Sequence, residues 1–328
     1  GVLQLLGGAA IADGNAILVN AGGQLTVGAN ETIATIAGAG NVLLNTASLT
    51  LGNASGTLTG AVSGTGTVII TAGTETFGGA LTNSGGLQVN AGANAVVQST
   101  GSVNVAAGAV QLGAAATLTN AGLIAASGGF GAYANGANAV ITNQASGDIT
   151  GNVGVSGLVP FTVTNAGDIV GSTSGIVSNS ASDVITNSGR IASGTLAGNV
   201  ITTSGSYGIQ LVAGGTVTNA TGALISGNTA ALQFQQTGTL ANSGTVAGAA
   251  TGVQMLLGGT ITNAAGAVIS GVSSVGLSSA NASTITNSGT MFGTLQVINS
   301  GTLTLSNLAG GIISSANSAV DSSAGQLI

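Results

Sequence analysis

The sequence contains no cysteine, no histidine and no tryptophan, and its one cationic side chain is Arg190. Without Cys or His, the usual ligands of zinc and haem iron are missing, and disulfides are impossible. The same absence removes the Ser–His and Cys–His pairs of nucleophilic catalysis. One arginine at a formal net charge of −6 cannot provide the basic footprint that nucleic-acid binding requires. Aromatic residues make up 2% of the chain, too few for the girdles of a transmembrane barrel. No apolar run reaches the length of about 18 residues that a membrane helix needs. Gly1 opens the sequence without a charged leader, so any secretion signal is expected to lie outside it.

Gly (59 of 328 residues), Ala, Ser, Thr and Asn dominate, and 44% of residues are apolar. That share is too high for polarity-driven disorder. Because the apolar residues are Val, Ile, Leu and Ala, they suit a thin core of repeated layers better than the interior of a conventional globule.

The strongest signal is an internal repeat. An apolar residue, usually Thr, then Asn recurs with the Asn at Asn83, Asn120, Asn143, Asn165, Asn187, Asn219, Asn242, Asn263 and Asn287. Most steps are 21–24 residues, and two are longer, at 37 and 32. Val103-Asn104 divides the first long step and Ile201-Thr202-Thr203 the second, so both are expected to hold a short coil of 16 residues. Within a unit, one short strand ends on the Asn. A second follows a Gly, as in Gly167-Asp168-Ile169-Val170, Gly189-Arg190-Ile191 and Gly289-Thr290-Met291. A third carries an apolar–x–apolar pair, as in Ile209-Gln210-Leu211, Leu232-Gln233-Phe234 and Val253-Gln254-Met255. Strands this short alternate inward and outward with period two. Gly and Asn at the corners are expected to supply positive φ.

These features predict an all-β, right-handed parallel β-helix (β-solenoid). It would have about 15 coils of roughly 22 residues, three short strands per coil, rising about 4.8 Å each. Residues 1–120 would form a solenoid of irregular repeats and 121–328 one of regular T-N-x-G-x-I-x-G repeats, in one continuous rod. The nine repeat asparagines would form an amide ladder.

The N-terminal third has a looser grammar. Leu25-Thr26-Val27-Gly28 is echoed by Leu49-Thr50-Leu51-Gly52, and Val19-Asn20-Ala21-Gly22 by Val89-Asn90-Ala91-Gly92. Between them run Ile33-Ala34-Thr35-Ile36-Ala37-Gly38-Ala39-Gly40-Asn41-Val42 and Leu58-Thr59-Gly60-Ala61-Val62-Ser63-Gly64-Thr65-Gly66. In these phrases and in the later T-N-x-G-x-I-x-G units, the chain resembles the passenger repeats of bacterial autotransporters and related giant surface adhesins. The resemblance implies a secreted, surface-exposed β-helix that is Cys-free because it crosses two membranes unfolded. The membrane barrel that ends autotransporters has no counterpart up to Ala324-Gly325-Gln326-Leu327-Ile328.

Three residue groups stand out as candidate sites. Asp148, Asp168 and Arg190 share one phase of neighbouring units and are expected to form a surface charge ladder rather than a catalytic carboxylate pair. Thr-x-Thr pairs (Thr117/Thr119, Thr162/Thr164, Thr216/Thr218, Thr260/Thr262 and Thr284/Thr286) would point outward in two ranks, as on ice-binding solenoids. Leu240-Ala241-Asn242, Val140 and the varying unit length argue that the ranks are broken. The asparagine ladder is structural. With no catalytic, metal or cofactor constellation, the expectation is a non-enzymatic, extracellular structural protein at the bacterial surface. It would be a subunit of a filament, fibre or layer, with itself as main partner. The alternative is an adhesin passenger for glycans or for host or abiotic surfaces, and ice binding follows behind it.

Overall fold

The computed structural model describes residues 1–278, 281–298, 301–322 and 326–327; most of the C-terminal Ala324–Ile328 stretch lies outside them. Among the described residues there is no helix. Parallel strands stack as a β-solenoid of about 14 turns, recurring roughly every 22 residues. Residues pack into two compact units, Gly1–Phe161 and Thr162–Ile328.

In the first unit each turn has three faces. Strands Gln24–Val27, Asn41–Leu44, Val62–Gly64, Ala80–Leu81, Ser102–Val105 and Leu123–Ala126 pair in parallel along the first face. Their inward residues form one column, Leu25, Val42, Val62, Leu81, Val103 and Ile124, each at most 1% exposed. Leu49–Leu51, Val68–Ile70, Leu87–Val89 and Val110–Leu112 line the second face. Thr74–Phe77, Asn94–Val97, Thr117–Asn120 and Ala139–Asn143 line the third. Identical backbone phase puts apolar side chains of neighbouring turns above one another, and the resulting columns of Val, Ile and Leu pack closely.

The second unit repeats this plan with longer strands. Ile169, Ile191, Ile225, Val246, Ile269 and Met291 stack inside the first face, all fully buried. In Asp168–Ser178 and Val268–Ser278 one strand covers both first and second faces. The third face consists of Val184–Asn187, Gly215–Asn219, Gly238–Asn242, Gly259–Asn263, Ser283–Asn287 and Thr302–Asn307.

Both expected short coils are corrected. Asn187 and Asn219 are direct partners in adjacent strands, so the 32-residue step is a single turn. The extra residues form an antiparallel hairpin, Gly194–Ala197 against Val200–Thr203, and Gly198 at its tip has φ +57°. The 37-residue step is a change of phase. Leu81 pairs with Val103 on the first face, whereas Leu118 lies on the third. The motif Leu81-Thr82-Asn83 thus resembles the corner motif in letters but occupies a different corner.

Candidate functional site: the asparagine corner and the threonine face

The corner between the third and first faces carries the densest polar network. In the second unit the Nδ2 of Asn165, Asn187, Asn219, Asn242 and Asn263 each donates to the Oδ1 of the next asparagine at 2.8–2.9 Å. Asn287 continues the series to Asn307 at 2.7 Å. In the first unit Asn120 donates to Asn143 at 2.8 Å. Each amide also reaches backbone carbonyls. Asn187, for example, approaches the carbonyls of Gly189 (3.2 Å) and Leu224 (3.1 Å). Two N–H groups are thereby shared among three acceptors, two of them on the following turn. The ladder asparagines of the second unit up to Asn287 are at most 1% exposed, so every bond is made away from water, where a missing partner is costly.

Asn83 does not belong to this ladder. Its Nδ2 donates to the carbonyls of Gly66 and Gly86, and its buried Oδ1 has no partner. The position above the ladder's start in the first unit is apolar: Asn120 pairs with Val97, Val97 with Phe77, and Phe77 with Leu58. Asn307, which ends Leu305-Ser306-Asn307, extends the ladder and differs from the repeat motif by Ser for Thr.

The glycines after the corners are of two kinds: Gly244 and Gly289 are required by close approach, whereas Gly222 (φ +80°), Gly266 (φ +78°) and Gly310 (φ +83°) have open space around them and positive φ. A Cβ on Gly244 would lie 2.3 Å from the Ala220 carbonyl oxygen, and one on Gly289 would lie 2.3 Å from that of Ala264. Neither residue has positive φ, nor does any ladder asparagine. The expectation that corner residues supply positive φ holds for Gly222, Gly266 and Gly310 and is corrected for the ladder asparagines and for Gly244 and Gly289.

Outward from the same strands stand the threonines. Thr216, Thr239, Thr260, Thr284 and Thr304 are in direct register. Two residues along lies a second column of Thr164, Thr186, Thr218, Ala241, Thr262, Thr286 and Ser306. Thr162 pairs with Val184, which pairs with Thr216, so the first column starts after a Val. Thr239 and Thr304 escape the Thr-x-Thr pattern because Ala241 and Ser306 replace the second Thr. Ala241 interrupts one column only, and varying unit length does not disturb register because the hairpin insertion leaves the first face. In the first unit, Thr117 pairs with Asn94 and Val140, and Thr119 with Val96 and Thr142, so no rank forms there.

The acidic residues separate into different environments. Asp168 pairs with Arg190 across neighbouring strands. The Arg190 Nε donates to Asp168 Oδ1 at 2.7 Å and Nη2 donates to Oδ2, while Nη1 donates to the Asn199 carbonyl at 2.7 Å. With its other nitrogens held by Asp168, Arg190 thus ties the hairpin down through Nη1. Asp148 lies in the first unit, in register with Leu123. Two glutamates that composition alone left unplaced point into the first unit. Glu31 accepts from the backbone N–H groups of Ala10 (2.9 Å) and Ile11 (2.7 Å). Glu75 is fully buried; its Oε2 accepts from the Thr35 hydroxyl (3.0 Å) and the Gly56 N–H (3.2 Å), and its Oε1 has no partner. Burial pushes the Glu75 carboxyl up to about 7, against the opposing pull of those two hydrogen bonds.

No family model matches the chain, and neither a curated protein nor a solved structure matches it. Among the described residues no helix is long and apolar enough to cross a membrane.

Proposed function

We propose that the chain is a non-enzymatic, extracellular structural protein, a subunit of a bacterial surface filament, fibre or layer that self-associates through uncharged faces and solenoid ends. The observation that carries this reading is the corner ladder. The buried polar groups of the second unit join one turn to the next in an unbroken series, which gives a stiff stack without disulfides or metals. A surface with 2% charged residues supports association, since little repulsion holds copies apart. The bacterial surface location rests on the autotransporter-like repeat phrases.

Electron cryomicroscopy of the full chain over a range of concentrations tests the proposal. Ordered fibres or sheets repeating near one chain length are expected. Isolated particles at high concentration would contradict self-assembly and favour a passenger that adheres to glycans.

A further inference from the structure

The threonine face of the second unit has three properties that no single strand would reveal. The first is regularity. Within a column the step is the strand spacing of about 4.8 Å, and between columns it is two residues along a strand, roughly 6.7 Å. The asparagine ladder beneath holds the turns in register.

The second is hydroxyl availability. Among the described residues, the side chains of Thr216, Thr239, Thr260 and Thr284 make no hydrogen bond within the chain, and all four are exposed. Four threonines of the first unit behave differently. The hydroxyls of Thr59, Thr71, Thr82 and Thr100 donate to the carbonyls of Gly38, Leu51, Val62 and Gly78, each on a neighbouring turn. The open hydroxyls of the second unit's third face differ from these in standing in direct register on four successive turns.

The third property is charge. The columns contain only Thr, Ser, Ala and Val, and the single cation of the chain is engaged on the first face with Asp168. Charge complementarity thus selects an uncharged partner. A second copy fits poorly: the two columns cover roughly 450 Å², below the about 800 Å² per partner of a stable protein interface. A glycan would find no aromatic plane to stack on. Ice offers an uncharged, flat lattice of donors and acceptors at fixed spacing. It also extends far enough for all hydroxyls to engage together, so weak contacts add. A face already rigid in the free protein loses little conformational entropy on docking.

We propose that the two threonine columns of the second unit form an ice-binding face. Their hydroxyls would anchor an ordered water layer, with the interleaved methyl groups limiting other water orientations. Ala241 fits this role, since it keeps a methyl-sized surface without protruding. The inference is independent of self-assembly, because a single chain carries the whole face.

The test uses the full chain in a slowly growing polycrystalline ice shell, at a concentration where it is monomeric. The wild type is expected to be enriched in the ice and to shape single ice crystals. T239K/T260K places two long cations on the face and is expected to lose both effects with an unchanged melting temperature. T57K, on the third face of the first unit, is expected to retain both. Should the double variant unfold, T284Y supplies a bulky, uncharged block with the same expected loss. Exclusion of the wild type from ice would overturn the proposal, as would ice enrichment of a folded face variant equal to that of the wild type. Retention on microcrystalline cellulose combined with exclusion from ice would also overturn it and assign the face to a glycan. Fibre formation alone would bear only on the assembly reading.

Discussion

The two units solve the same stacking problem differently at one corner. Where the second unit runs Asn187, Asn219, Asn242 and Asn263, the first unit places Leu58, Phe77 and Val97 before its ladder begins at Asn120. An apolar plug needs only volume, and it tolerates the looser repeat of the first unit. An amide ladder needs every neighbour in register, because each buried N–H requires the next oxygen. The regular T-N-x-G grammar is the sequence consequence of that demand. The outer surfaces diverge likewise: the second unit's third face aligns Thr216, Thr239, Thr260 and Thr284 on successive turns, whereas in the first unit Thr117 pairs with Asn94 and Val140.

Substitutions can break or sharpen this contrast. The largest effect is expected from G244A. Its new Cβ meets backbone oxygens of Ala220 and Ala223 that cannot rotate away, so the second unit should lose more than about 3 kcal/mol in urea unfolding.

Glu75 comes next and affects only the first unit. Its folded-state pKa of about 7 lies above the ordinary 4.5, so the folded state holds the proton more tightly. The stability associated with the protonated form is complete below pH 4.5 and is lost as pH rises through about 7. The loss is on the order of 3 kcal/mol. Unfolding followed from pH 4 to pH 9 should show this fall, and E75Q should flatten it.

N219L removes one rung: the Asn187 amide loses its side-chain acceptor and keeps only the two longer bonds to carbonyls. It should cost about 2 kcal/mol by thermal or urea unfolding. N83L, outside the ladder and with an oxygen already unpartnered, should cost less. The smallest effect is expected from replacing the exposed hairpin Gly194–Thr203 by a short turn. Because Asn187 and Asn219 already pair across it, the change should stay within about 1 kcal/mol. A larger loss would mean that the hairpin supports the turn it leaves.

The parallel stack, its period and most ladder positions were legible because a solenoid writes its phase directly into the sequence. What escaped was phase relative to the faces. Leu81-Thr82-Asn83 and Leu118-Thr119-Asn120 are nearly the same phrase on different faces, and only strand pairing separates them. The hairpin at 194–203 was disguised because its Ile201-Thr202-Thr203 strand imitates a repeat. Thr239 and Thr304 were hidden by single substitutions at their neighbours. The inward glutamates were readable in principle: alternation places Glu31 on the side of Ile33, and Glu75 on the side of Phe77.

The central claim is that buried asparagine amides join successive turns of the second unit. Side-chain amide hydrogen exchange in protein labelled with nitrogen-15 at asparagine tests it most directly. The account predicts Nδ2 protons at Asn187, Asn219, Asn242 and Asn263 that exchange only with unfolding of the unit, while those of the exposed Asn199 and Asn228 exchange at the rate of a free amide. Uniformly fast exchange at all asparagines would contradict it.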